Sequence, residues 1–393
     1  MCTLTRWMSV YFWQKCDDFQ ISNHVCLNEE SDPAKLSLVL TDLLQKSYPI
    51  GKPLWEIVSL PNYAHVEYGT FSAVGIRMHH TLGDGLALMN LVRDLCDKDV
   101  ALDEEMNRLL KAVRKNNTLN FWEKMCYLFQ LIFIAPSETL YCWLQGINSQ
   151  SIPHDFKEDA DIGPDGIIIV STLIDLTLLK RISKKIGAKV TSVIHAGVAG
   201  AVRRTILDRG GDPRGDSTAV YSFPKLNHPG LLLNNVFGVP LIIPMSPEAD
   251  IFQRVRNISK QFDRILHSAL PMGMIANCNI FGLLLGVVGQ TRFMPNRCTY
   301  IHTNLAYFGE PIKMFGTILE RGVIVAGLQR KKNPLIVMTE SYNGKLGLNL
   351  VGDKGVFPDE KSLSRVASYV EDEFKLMDGQ FTNCNAAPVT YFV

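Results

Sequence analysis

The stretch RMHHTLGDGLALMNLV, residues 77–92, decides how the chain is read. It joins two patterns of different period. Upstream, TFSAVGIRMHH (70–80) alternates, which predicts a strand with Val74, Ile76, Met78 and His80 on a dry face and Arg77 and His79 on a hydrated one. Downstream, Leu86, Met89, Val92, Leu95 and Cys96 recur at helical spacing, which predicts a helix over about residues 84–97. Gly83 and Gly85 permit a tight bend between the two. Asp84 stands where its carboxylate can cap helix amides or pair with an arginine. Histidine ordinarily titrates near neutrality, so one held at a strand end by such a bend suits a general base. Taken singly, each histidine is better explained as a turn or packing residue. The strand, the paired histidines and the Asp-Gly helix start together favour a reacting site.

Further out, residues 35–47 predict a helix with Leu36, Val39, Leu43 and Leu44 on one face. PLWEIVSLP (53–61) and the strand ending in His80 bracket a turn near Asn62. The polar run PHDFKEDADIGPDG (153–166) reads as a linker. Beyond it, GIIIVSTLI, VFGVPLIIPM, GVIVAGLQ, PLIVMTESYNG and KLGLNLVGD predict strands, the last two joined at the turn dipeptide Asn343-Gly344. TLLKRISKKIG, KVTSVIHAGVAGAVRRTIL, the periodic Ile251, Val255, Ile258, Phe262, Ile265 and EKSLSRVASYVEDEFKLM predict helices. Interleaved strands and helices indicate a mixed α/β (α+β) fold with two lobes, over 1–150 and 166–393, and a linker at 151–165.

The 393 residues carry a net charge of +1, so there is no basic footprint for nucleic acid. Nine scattered cysteines form no Cys-x-x-Cys pair and read as reduced thiols of a cytosol-facing protein. Cys96 falls on the apolar face of its helix, as an inert buried thiol would. No His/Cys cluster has metal-ligand spacing, so no metal is expected. The start of the chain lacks the apolar core of a signal peptide. Residues 119–147 are dense in aromatic and aliphatic side chains, and Pro136 interrupts their longest charge-free run. They admit three readings: a buried core helix or helix hairpin, a helix lying in a membrane interface, or a span, for which the run is too short.

HHTLGDG (79–85) resembles the His-His-x-x-x-Asp-Gly motif of the chloramphenicol-acetyltransferase-like acyltransferases. Within them, Pro53-Leu54-Trp55-Glu56 resembles the Pro-Leu-Trp motif of the wax ester synthase/diacylglycerol acyltransferases, and DFQISNHV (18–25) that family's stretch ending in His-Val. LNNVFGVPLIIP (233–244), TNLAYFGEPIKMFG (303–316) and SYNGKLGLNLVGD (341–353) resemble its later motifs, in the right order. The Asp-Phe-Gly-Trp-Gly signature of plant hydroxycinnamoyl transferases is absent. Three departures stand out. Thr191-Ser192 replaces an Asn-Asp pair, and Thr303-Asn304-Leu305-Ala306 replaces Ser-Asn-Val-Pro. The family also carries a further strand and helix ahead of the region that begins here at Asp18.

The resemblance implies two lobes with the active site in a tunnel between them, and transfer of a long acyl chain from acyl-CoA, as co-substrate, to a long-chain alcohol or diacylglycerol. It implies His80 as general base, His79 orienting the turn, Asp84 held by an arginine, and Gly85 allowing close backbone approach. Pro53, Leu54 and Trp55 would support the acyl site, Trp55 being otherwise a core residue, while Asn304 is either an oxyanion donor or a turn asparagine. No cofactor is implied. Peripheral attachment through residues 119–147 to the endoplasmic reticulum membrane or a lipid droplet would place the enzyme where its substrates collect. A catalytically weak, lipid-binding relative is the alternative that the departures leave open.

Overall fold

Hydrophobic patterning places a three-stranded and a six-stranded sheet, with their helices, on either side of a shared interface. The computed structural model describes residues 1–393 except 8–9, 66–68, 71, 115–119, 154–165, 213–214, 226–227, 246–249, 269, 272, 277–297, 307, 329–332 and 385–393. In chain order the first half gives β1 (Cys2–Trp7), β2 (Val10–Lys15), β3 (Val25–Leu27), α1 (Leu36–Gln45), β4 (Trp55–Leu60), β5 (Ala64–His65), β6 (Gly69–Thr70), β7 (Ala73–Met78), α2 (Gly85–Leu95), α3 (Val100–Arg114), α4 (Phe121–Phe129) and α5 (Ala135–Asn148). The second half gives β8 (Ile167–Asp175), α6 (Leu176–Ile186), α7 (Val190–Asp208), β9 (Asp216–Pro224), β10 (Val236–Pro244), α8 (Ile251–His267), β11 (Tyr300–Ala306), β12 (Lys313–Met314), β13 (Thr317–Ile318), β14 (Leu335–Tyr342), β15 (Lys345–Asp353) and α9 (Glu360–Cys384).

The first half forms a three-stranded sheet, β3-β4-β7, and the second a six-stranded sheet, β10-β9-β11-β14-β15-β8. β11 pairs in parallel with both β9 and β14; the other neighbours in the large sheet are antiparallel. Asn343 and Gly344 turn β14 into β15 with φ of 46° and 71°, the left-handed pair that matches strand twist. β14 and β15 are buried almost throughout because both sheet faces are covered. α6, α7, α8 and α9 cover one face, with α7 buried on most sides between the others.

The opposite face meets the first half. Leu40 and Leu44 of α1 pack on a cluster of Ile167, Ile169, Ile336, Met338 and Val351. At the far end Tyr342 packs with Val92 of α2 and Leu102 of α3. Between these contacts the Leu305 side chain lies where a Cβ on Gly85 would be 2.5 Å from its Cδ2, so only glycine lets the start of α2 approach β11 this closely.

The differences from the sequence reading have identifiable causes. GVIVAGLQ forms no ladder over its described part, 322–328. Its Ile324, Val325, Ala326 and Leu328 pack across the sheet face instead, and a short apolar run does not distinguish that role from a strand. β9, β11 and the β1–β2 hairpin went unpredicted. The linker expected at 151–165 lies largely outside the described residues. Pro136 does not break the apolar segment. It lacks the N–H that would bond the Ile132 carbonyl, and a π-helical turn at Gln130–Ile134 absorbs the defect so that α4 runs on into α5. Nor is that segment a core helix: Phe121, Trp122 and Phe133 are 67%, 75% and 65% exposed. The expectation that it is too short to span is corrected as well: because the helix continues past Pro136, Phe121–Gly146 is long and apolar enough, by length and composition, to cross a membrane.

Gly197 of α7 faces the ring of Phe374 on α9 at a distance no Cβ could keep. Gly197→Ala should therefore lower stability by about 1–3 kcal/mol, the usual cost of overpacking, read as a lower urea midpoint at unchanged slope.

Candidate active site

β7 ends at Met78, and the chain turns immediately. The His79 N–H donates to the Leu54 carbonyl (2.9 Å), and the Leu82 N–H donates back to the His79 carbonyl (2.9 Å). Pro53-Leu54-Trp55 thus supports the histidine loop through its backbone. Trp55 is fixed in turn by His24, whose Nδ1–H donates to the Trp55 carbonyl (2.8 Å) while its ring stacks on the indole at 4.6 Å. His24 belongs to the DFQISNHV stretch but was not singled out by the sequence reading.

The two histidines are placed differently. The His79 Nδ1 accepts from the Thr81 N–H (3.3 Å) and faces the Thr81 hydroxyl (2.9 Å), and its ring meets Tyr48 edge-on at 6.2 Å. Burial, followed by the neighbouring His80 and Arg77 charges, lowers its pKa. His80 has no hydrogen-bond partner among the described residues and is exposed.

The expected division into a dry and a hydrated face is corrected. Val74 is 61% exposed, whereas the Arg77 side chain is only 8% exposed. Arg77 is drawn inward by an ion pair with Glu56 (3.0 Å), by the Lys46 carbonyl and by the Tyr48 ring, 3.8 Å from its guanidinium. Strand alternation stops at Met78, so it does not govern His80.

Asp84 caps α2 through Oδ1, which accepts from the N–H groups of Leu86 and Ala87 (3.1 Å each). Its Oδ2 accepts from the Asn235 N–H (2.7 Å) and from His228 Nε2–H (2.9 Å). The partner of Asp84 is therefore a histidine of the second half and not the expected arginine. The Gly230 N–H donates to His228 Nδ1 (3.0 Å), which leaves the ring proton on Nε2, aimed at the carboxylate. The Asp84 N–H also donates to the Leu233 carbonyl (3.3 Å), so the connection between β9 and β10 is tied to the histidine loop at several points. His228 lies in the stretch FPKLNHPGLLLNN (223–235), and nothing in its local pattern points to Asp84.

Asn304 turns toward the helix-covered face. Its Oδ1 accepts from the Thr339 hydroxyl (2.9 Å), and its amide faces the Tyr221 hydroxyl, opposing the upward push of burial on that phenol. His302 and His195 lie on the same side, their rings 4.0 Å apart. Burial holds both pKa values down, that of His302 at about 3. The neighbouring Leu305, not Asn304, reaches the histidine loop at Gly85. Burial, then Asp97, raises the Cys96 thiol, which suits a packing role over a nucleophilic one.

A His-His-x-x-x-Asp-Gly loop held between two α/β halves defines a two-lobed O-acyltransferase. The sequence profile for the wax ester synthase/diacylglycerol acyltransferase catalytic domain matches residues 5–122, and that for the WS/DGAT C-terminal domain matches residues 234–378. The chain belongs to this family. A Mycobacterium tuberculosis protein designated a probable diacylglycerol O-acyltransferase is 21% identical, over 90% of this chain and 79% of its own length. Wax ester synthase/diacylglycerol acyltransferase 2 of Arabidopsis thaliana is 24% identical, over 80% and 71%. Among solved structures, the wax ester synthase/diacylglycerol acyltransferase of Marinobacter aquaeolei VT8 shares the fold at a TM-score of 0.61 and 15% identity, covering 96% of this chain and 85% of that one.

Replacing His228 by alanine removes one donor from a buried carboxylate, a loss of about 1.5–3 kcal/mol for a hydrogen bond to a charged group. Chemical denaturation of His228→Ala, Asp84→Ala and the double variant should show less than additive losses, because the two side chains act on each other.

Proposed function

We propose that the protein transfers a long-chain acyl group from acyl-CoA to the hydroxyl of a fatty alcohol or a diacylglycerol, with His80 as the general base. The observation that carries this reading is the exposed imidazole of His80, without a hydrogen-bond partner among the described residues, on a loop that the His79 and Asp84 hydrogen bonds hold in place. As the acceptor oxygen attacks the thioester carbonyl, its proton passes to His80. Collapse of the tetrahedral intermediate breaks the carbon–sulfur bond, and His80 returns the proton to the departing thiolate. The two substrates meet directly, so no acyl-enzyme forms. His79 shapes the turn, Asp84 anchors it, and Gly85 lets the two halves close to contact.

Both substrates are lipid-soluble, and the α4–α5 helix supports attachment where they collect. Phe121, Trp122, Met125, Phe129, Ile132, Phe133, Leu140, Tyr141 and Leu144 are all exposed along it. An Asn120–Glu123 capping box closes its N-terminus with paired hydrogen bonds of 2.7 and 2.9 Å. Aromatic residues toward both ends suit the headgroup zone. We place the protein peripherally on the cytosolic side of the endoplasmic reticulum membrane or on a lipid droplet.

With palmitoyl-CoA and hexadecanol or dioleoylglycerol, His80→Ala should lose about 10²–10⁴-fold in rate while remaining folded, the usual contribution of a positioned base. His79→Ala should lose less. Near wild-type turnover of His80→Ala, with His79→Ala inactive but folded, would reverse the assignment.

Glutamate substitution at both Trp122 and Phe133 should abolish co-sedimentation with phospholipid vesicles at unchanged thermal stability. Retained vesicle binding would remove α4–α5 from the membrane contact.

A further inference from the structure

The proposed chemistry does not use the polar groups buried on the sheet face that meets the first half. Glu340 of β14 is 3% exposed there. Its Oε2 accepts from Asn349 Nδ2 (2.7 Å), Asn349 Oδ1 accepts from the Ser171 hydroxyl (2.6 Å), and Ser171 Oγ accepts from Arg321 Nη2 (2.5 Å). Strand register explains the chain of contacts: Asn349 lies directly across from Ser171, and Glu340 across from Gly347. Glycine at 347 leaves the room that Glu340 Oε1 occupies. Two buried atoms of this network, Glu340 Oε1 and Arg321 Nε, have no hydrogen-bond partner among the described residues. Buried polar atoms are rarely left in that state, so a solvent molecule or a ligand is called for.

Position favours a ligand. Glu340 is in parallel register with Leu305, so the two side chains share a face about one strand spacing, roughly 4.8 Å, apart. Leu305 is the residue that meets the histidine loop at Gly85. Two residues along, Tyr342 packs on α2. Glu340 therefore lies beside the junction of the two halves, while Ile169, Ile336, Met338 and Val351 make the adjoining wall apolar. Burial raises its carboxyl to about 8, against the opposing pull of Asn349 and Arg321, so near neutrality it keeps its proton. With Oε2 occupied as an acceptor, that proton on Oε1 and the Arg321 Nε–H are two donors. They call for a ligand with carbonyl oxygens. An unbranched alcohol brings one hydroxyl, which must reach His80. A diacylglycerol brings two ester carbonyls besides its hydroxyl.

We propose that Glu340 forms a subsite for an ester carbonyl of the acceptor, which selects diacylglycerols over unbranched alcohols. This rests on the acyl-transfer reading above. Arg321 is the charged group among the described residues that acts on Glu340; Asn349 and Ser171 are neutral, and Leu305 and Gly347 flank it.

The test uses the full chain with palmitoyl-CoA and three acceptors: dioleoylglycerol, its di-ether analogue without carbonyls, and hexadecanol. Glu340→Leu should lower kcat/KM for dioleoylglycerol about tenfold, mainly through KM, the equivalent of one modest hydrogen bond. The ether and hexadecanol should change less than twofold. For the wild type, preference for dioleoylglycerol should fall as pH rises through about 8 and the carboxyl donor is lost. Glu340→Gln, a neutral amide donor, should keep the preference and lose that pH dependence.

Equal losses on all three acceptors would make Glu340 structural. No change on any would mean that it holds solvent only. Either overturns the proposal, as does a Glu340→Gln variant with the wild-type pH profile. Binding of dioleoylglycerol in the His80→Ala background, read by tryptophan fluorescence, separates the subsite from the chemistry. There Glu340→Leu should weaken dioleoylglycerol about tenfold and leave the ether unchanged. That result with an inactive wild type would sink the transfer reading alone, and its absence would sink the subsite alone.

Discussion

A carboxylate buried between the two halves of the chain, that of Asp84, sets the geometry on which the site depends. A charge removed from water is costly unless donors replace its hydration. Asp84 finds four: two amides at the start of its own helix, the Asn235 amide and the His228 ring. Two come from the first half and two from the second, so the carboxylate is satisfied only when both are docked. The histidine loop immediately precedes it and inherits that placement. The backbone of His80 is thereby held four residues before Asp84, while its side chain makes no hydrogen bond among the described residues.

The large sheet shows how one strand serves two environments. Successive residues of β11 and β14 point alternately to the helix layer and to the lobe junction. His302, Asn304 and Thr339 meet on the helix side, where the hydrogen bonds among them are local and burial keeps the imidazoles neutral. Leu305 and Glu340 face the junction. A polar network in an otherwise apolar junction is costly if incompletely paired. The unpaired oxygen of Glu340 lies on the junction side, whereas Asn304 is paired with Thr339 on the helix side.

The α4–α5 helix shows the opposite imbalance. Its aromatic and aliphatic side chains are exposed over more than six turns, interrupted by small buried contacts such as Ala135. An apolar surface of that extent is rare on a protein surrounded only by water. The π-helical turn that accommodates Pro136 keeps that surface continuous along one helix.

Local pattern was enough for most elements. α1, α2, α6, α7, α8, β4, β7, β8, β10 and the β14–β15 hairpin follow from periodicity and turn chemistry, which depend on neighbours a few residues apart. The His-His-x-x-x-Asp-Gly loop was legible for the same reason: strand, glycine bend and cap are contiguous. Contacts between distant residues were not. His228 lies 144 positions from Asp84, and no local feature marks it as that carboxylate's partner. Arg77 looked like a solvent-facing cation because alternation ignores Glu56 on the neighbouring strand. GVIVAGLQ has the composition of a strand yet lies across a sheet that already has its neighbours. Sequence determines which segments are regular and where the strand–bend–helix motif falls. Tertiary packing decides which buried polar groups find each other, because a buried charge is stabilised by whatever donors the fold brings within about 3 Å, however far away they are in the chain.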